Sequence, residues 1–152
     1  MRNLIAAITA AFMTLLAAPA SAGAEAWVQV GLSDTGMTFI DTASIKPNHI
    51  ANFLVVLKQD NDRGEAFYTY HSEFDCVGRR WRTLDSLWRD VNGAVTYTDD
   101  GATGPGKWNQ ATPNTVGDAL VDAVCAGKYY PDGYSGATPG QLVGPARKEM
   151  NP

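Results

Sequence analysis

Asn114-Thr115-Val116-Gly117-Asp118-Ala119-Leu120-Val121-Asp122-Ala123-Val124-Cys125-Ala126-Gly127 is the stretch on which the fold turns. Val116, Leu120 and Val124 recur every four residues, with Val121 and Cys125 on the adjoining stripe, so one side of a helix is apolar. Asn114 or Thr115 can cap its start, and Asp118 falls in the first turn, where the helix dipole favours negative charge. Gly127 supplies the stop. The spacing therefore predicts one amphipathic helix lying on a sheet, with Cys125 beside the buried stripe.

Cys125 has one potential partner, because the chain holds only two cysteines, Cys76 and Cys125. An even count in an exported chain favours a disulfide, and the alternative is a pair of buried free thiols. Neither cysteine belongs to a C-x-x-C pair that would tune redox reactivity, so the bridge is expected to be structural. The oxidising compartment is implied by the N-terminus. Met1-Arg2-Asn3 is short and positive, Leu4–Leu16 is an uncharged apolar run of 13 residues, and Ala20-Ser21-Ala22 offers small residues for cleavage. Residues 1–22 thus read as a cleavable signal peptide. The apolar run is too short for a bilayer-spanning helix, which needs about 20 residues. Gly23 rather than Cys follows the cleavage site, so no lipid anchor is expected. Localisation is then periplasmic or secreted, without a membrane span.

Upstream of the helix the chain reads as β structure. Trp27–Leu32 and Met37–Asp41 flank Ser33-Asp34-Thr35-Gly36, a hairpin with a four-residue loop. Asp41 can cap a short helical turn that Pro47 ends. His49–Lys58 fits strand or helix on periodicity, and its Val55-Val56 core and flanking turn residues favour strand. Ala66–Cys76 is dense in aromatic and β-forming residues. In Arg79–Asp90 (RRWRTLDSLWRD) alternation sets Arg79, Trp81, Thr83, Asp85 and Leu87 against Arg80, Arg82, Leu84, Ser86 and Trp88. Neither set is cleanly apolar, which predicts a bulge or a second covering layer. Asn92-Gly93 is a two-residue turn into Ala94–Thr98. Asp99–Asn114 is loop, with the body of Trp108 expected against the sheet. Past Gly127 the chain is rich in Pro and Gly, so 128–152 is expected as a tail, flexible over 133–152 and pinned at its start by Tyr129, Tyr130 and Tyr134. The expected organisation is leader 1–22, domain 23–127 and tail 128–152.

Several function classes fall away. The chain holds 12 basic and 16 acidic side chains, and losing the leader removes Arg2 and no acid, leaving a net charge of −5. A nucleic-acid binder would carry a basic surplus. His49 and His71 lack neighbours at metal-ligand spacing, Asp99-Asp100-Gly101 lacks the rest of a calcium loop, and no nucleophile elbow or phosphate-binding loop occurs. Asp75 and Asp85 would form a carboxylate pair only if the fold brought them together. No catalytic residue, metal site or cofactor is therefore assigned. What remains is a basic, Trp-containing stripe of Arg79, Arg80, Trp81, Arg82, Trp88 and Arg89, which could recognise an anionic glycan or acidic protein. The ordinary reading, favoured on composition, pairs these arginines with Asp75, Asp85 and Asp90 and lays their stems across the sheet.

The order of certain short pieces resembles the surface-adhesin protein E family across residues 27–125. They are Trp27-Val28-x-Val30-Gly31, Phe39–Ile45, Phe74–Arg82, Gly106-Lys107-Trp108, and Pro113–Gly117 leading into the helix that ends at Val124-Cys125. The resemblance implies an α+β fold: a single twisted antiparallel sheet of about six strands, with one C-terminal helix tied to it by the Cys76–Cys125 disulfide. It further implies a non-enzymatic binding protein whose partners are extracellular-matrix or envelope macromolecules, and which can form a homodimer. The lipid anchor of the namesake adhesin has no counterpart here, which leaves a soluble periplasmic accessory protein as the alternative.

Overall fold

The computed structural model describes residues 24–130 and 132–152. The leader expected over 1–22 lies outside the described residues. The strands are β1 (Trp27–Leu32), β2 (Gly36–Asp41), β3 (Ile50–Leu57), β4 (Phe67–Asp75), β5 (Arg80–Arg89), β6 (Val95–Asp99), β7 (Asn109–Gln110) and β8 (Ser135–Gly136). The helices are α1 (Val116–Ala126) and α2 (Pro139–Met150). The sheet runs β6-β5-β4-β3-β2-β1-β8, and β7 pairs with the end of β5; every pairing is antiparallel. Strands adjacent in sequence are adjacent in space, so the first six form a meander closed by short turns. The α+β class holds, with more strands than expected and a second helix.

The helix on which the reading turned forms as its sequence dictates. Thr115 is the cap, its hydroxyl accepting the Asp118 N–H, and Gly127 ends the helix in the left-handed region at φ 63°. Leu120, Val121, Ala123 and Val124 pack with Val30, Ile40, Phe53 and Phe74 on one side of the sheet. At its end Cys125 is bonded to Cys76, just past β4.

All six residues of β2 are buried. A strand buried on both faces needs a layer on each, and the second layer is α2. Leu142, Val143, Ala146 and Met150 pack on Trp27, Met37, Phe39, Leu54 and Val56. The expectation of a flexible tail over 133–152 is corrected here: the segment adds β8 to the sheet edge and then α2. Leu142, Ala146 and Met150 recur every four residues, a helical stripe that the surrounding Pro and Gly obscure. Pro139 is tolerated in the first turn. Interior Pro145 is not favourable to a helix, so the packing outweighs propensity. Arg147 donates to the Leu57 carbonyl at 3.0 Å and Asn151 to that of Lys58 at 3.0 Å, fastening the helix to the end of β3. The pinning at the tail's start runs through the β1 backbone, where the Gln29 N–H donates to the Tyr134 carbonyl at 2.9 Å. The three tyrosines themselves stay exposed.

Gly36 has a packing reason: a Cβ there would stand 2.6 Å from the Val56 carbonyl oxygen. Asp41 caps the short 3-10 turn Thr42–Ser44, accepting from the Ala43 N–H at 3.1 Å.

Candidate functional site

The outer sheet, from β4 to β6, is the part of the sheet that the helices cover least, and the candidate stripe lies there. Its geometry is set by a bulge. Ser72 pairs with Thr83 and His71 with Asp85, so Leu84 is an extra residue in β5. Beyond it the alternation inverts. Simple alternation separates Trp81 from Trp88, whereas the bulge puts both on the α1 side of the sheet. It likewise brings Arg80, Arg82 and Arg89 together on the α2 side.

Three of the four arginines are neutralised within the protein. Arg80 Nε lies 2.8 Å from Asp75 and Arg82 Nη2 2.6 Å from Glu73, across the β4–β5 ladder. Both guanidinium groups stack on the Trp108 ring, 4.8 and 4.6 Å from its centroid, so Trp108 does lie against the sheet. Arg79 adopts φ 46° in the turn after Cys76 and reaches α1, pairing with Asp118 and, at 2.9 Å, with Asp122. It joins the same two elements as the disulfide. Asp75 is the one expected partner that serves. Asp85 instead holds His71 at 2.9 Å, and Asp90 accepts from the N–H groups of the Asn92-Gly93 turn and Ala94. Asp75 and Asp85 thus each have their own partner. Hydrogen bonds to the Gly78 N–H, first, and to Arg80 hold the Asp75 carboxyl below the usual carboxylate value. Asp122 is held low by Lys128 first and Arg79 second.

Arg89 differs. Its Nη1 donates to Thr69 Oγ1 at 3.0 Å, its guanidinium is 5.9 Å from the Phe67 ring, and among the described residues no carboxylate is within ion-pair distance. It lines a groove of about 460 Å³ with Thr69, His71, Asp85, Leu87 and Trp27, open beyond the first turn of α2.

The α1 side carries a ladder of aromatic rings crossing the sheet. Trp81 meets Phe53 edge-on at 5.5 Å, Phe53 stacks on Tyr70 at 4.7 Å, and Tyr70 meets Tyr68 at 6.1 Å. Tyr68 leads to Trp88 at 4.9 Å and Trp88 to Tyr97 at 5.0 Å. Burial pushes the Tyr70 hydroxyl up to about 12, with smaller contributions from Tyr68 and Glu65. The ladder ends at the sheet edge, where Val95 and Tyr97 of β6 are 55% and 47% exposed. Sequence reasoning named Trp81 and Trp88 but missed Tyr68, Tyr70 and Tyr97, because their shared face depends on the bulge.

His49 lies in the turn before β3 at φ 58°, and His71 on β4. Among the described residues no group of three or more His, Cys, Asp or Glu could hold a metal, and no helix is long and apolar enough to cross a membrane.

A disulfide-tied antiparallel meander covered by two helices defines a small α+β domain. The chain belongs to the surface-adhesin protein E family, whose sequence profile matches residues 27–126. No curated protein and no solved structure matches it.

Proposed function

We propose that this chain is a non-enzymatic, exported binding domain that recognises an extracellular-matrix or envelope macromolecule through the outer sheet, at the β6 edge. Family membership supports an adhesin-like role. The observation that carries the reading is the aromatic ladder, which runs from the core outward and ends at exposed Tyr97 beside exposed Val95. Macromolecular interfaces centre on such rigid aromatic anchors, and an unpaired edge strand adds backbone donors and acceptors. The arginine stripe contributes less, since Arg79, Arg80 and Arg82 already hold acids.

The purified protein is to be screened against immobilised matrix proteins and anionic glycans, alongside Tyr97→Ala and a triple Arg79, Arg80, Arg82→Ala variant. Loss of about tenfold or more with Tyr97→Ala, as expected of a central aromatic anchor, supports the edge. Binding that depends on the triple variant alone would return the role to the basic stripe.

A second reading has its own observation. Both cysteines are consumed by the disulfide, so neither carries a lipid. A periplasmic accessory protein without a host target is consistent with that pairing. Protease added to intact cells decides between them: degradation means surface display, and protection until the outer membrane is opened means the periplasm.

A further inference from the structure

The groove beside α2 holds charges that are not fully satisfied among the described residues. Its volume of about 460 Å³ falls within the range of small-molecule sites, roughly 300–1,000 Å³. Arg89 is tethered in it by one bond, from Nη1 to Thr69, and a guanidinium has five N–H donors. Asp85 is tethered by His71 through Oδ2, and its other oxygen has no hydrogen bond among the described residues. Glu25, on the same groove, accepts from the Trp27 indole N–H at 2.9 Å through Oε2 alone. Arg89 and Asp85 lie on one strand yet do not pair with each other.

Their tethers fix where the charges stand. Thr69 and His71 are two residues apart on the same face of β4, one side-chain step of about 7 Å. A cation is therefore held about one step from an anion, with Leu87 between the two on β5 and the rings of Trp27 and Phe67 on the groove wall. A simple anion entering this groove meets Asp85 and Glu25, and a simple cation meets Arg89. A molecule carrying both charges a short distance apart satisfies each.

We propose that the groove binds a compact zwitterion of the amino-acid class, with its carboxylate on Arg89, its ammonium at Asp85, and an apolar side chain against Leu87. This site is separate from the β6 edge and stands or falls without the adhesion reading.

The test is titration calorimetry, with Trp fluorescence as a second readout, on the purified protein with L-leucine and L-phenylalanine. Leucinamide lacks the carboxylate and 4-methylpentanoate lacks the amine. The expected result is saturable binding of at least one amino acid, with Kd below about 1 mM, and at least about tenfold weaker binding of both leucine analogues. R89Q should bring leucine down to the level of leucinamide while leaving leucinamide unchanged. D85N should do the same for leucine relative to 4-methylpentanoate. Absence of saturable binding by either amino acid overturns the proposal. So does an analogue that binds as tightly as leucine, or a folded R89Q that keeps leucine's full affinity. Should R89Q not fold, the analogue series on the unaltered protein decides by itself.

Discussion

At the residue scale, single side chains in this protein serve geometry before recognition. Arg79 is the clearest case. Its position in a basic run suggests a binding cation, yet it adopts the left-handed region and spends its charge on Asp118 and Asp122 of α1. Asp122 stands on the acid side of this fastening while Asp75 holds Arg80, and both carboxyls sit below the ordinary value of 3.8. An unfolded chain takes up protons on these groups at a pH where the native chain does not, so their contribution is complete above the ordinary value. It is lost as pH falls from there through the lowered values. The melting temperature should therefore drop on acidification below about pH 4, and Asp75→Asn with Asp122→Asn should flatten that drop. An unchanged slope in the double variant would assign acid lability elsewhere. Tyr70 gives a second check. Its hydroxyl is pushed up to about 12, and those of Tyr68 and Tyr134 are also raised. An ultraviolet titration of the folded protein should therefore show a late tyrosine step above the ordinary value of about 10, and Tyr70→Phe should remove its last part.

At the element scale, legibility followed the strength of the local signal. The helix over 114–127, its Thr115 cap, its Gly127 stop and the Cys76–Cys125 bridge were all readable, because capping chemistry, four-residue spacing and cysteine count are local facts. The strands from Trp27 to Asp99 were readable for the same reason. The bulge at Leu84 was foreseen only as one of two options, since register is set by the neighbouring strand. Helix α2 was not readable: Pro139, Gly140, Gly144 and Pro145 carry a strong loop signal, and the stripe of Leu142, Ala146 and Met150 has value only once β2 and β3 offer a face for it. Two substitutions should therefore act with opposite sign. Leu142→Ala opens a cavity in a packed layer and should cost about 2–5 kcal/mol. Pro145→Ala restores a helix N–H on the exposed side and should stabilise by up to about 3 kcal/mol. Denaturant unfolding of both variants reads this directly, and a pair of null effects would mean α2 is not a structural layer. Loss of the bridge in Cys125→Ala should cost about 4 kcal/mol in the chain-entropy model for a loop of this length, measured against the same protein under oxidising conditions.

At the scale of the whole molecule, two helices on opposite faces explain why the proposed site falls to the outer sheet. The helices cover β1 to β3 and part of β4 and β5, and the rest of the outer sheet is left with one aromatic face, one charged face and an unpaired edge. Of the residues on these faces, the binding stripe read from the sequence held Trp88 and Arg89 but none of their partners. Tyr68, Trp88 and Tyr97 are spread over three strands, while Arg89 and Asp85 gain meaning only from partners on β4. A change confined to the edge, such as Val95→Lys with Tyr97→Ala, should leave the melting temperature within about 2–4 °C, the size of a surface effect in a small domain. It should still abolish retention on whatever macromolecule the intact protein captures. A collapse in stability would instead make β6 part of the scaffold.

The burial of β2 on both sides has a consequence for biogenesis. One of its two coverings is α2, which lies far along the chain from β2. A polypeptide emerging N-terminus first, from a ribosome or through a translocation pore, must carry Met37, Phe39, Leu54 and Val56 bare until Pro139–Met150 is free. Nascent intermediates are thus sticky by construction and need shielding until release. A premature stop codon shortly before residue 142 yields an unfinished molecule rather than a trimmed one.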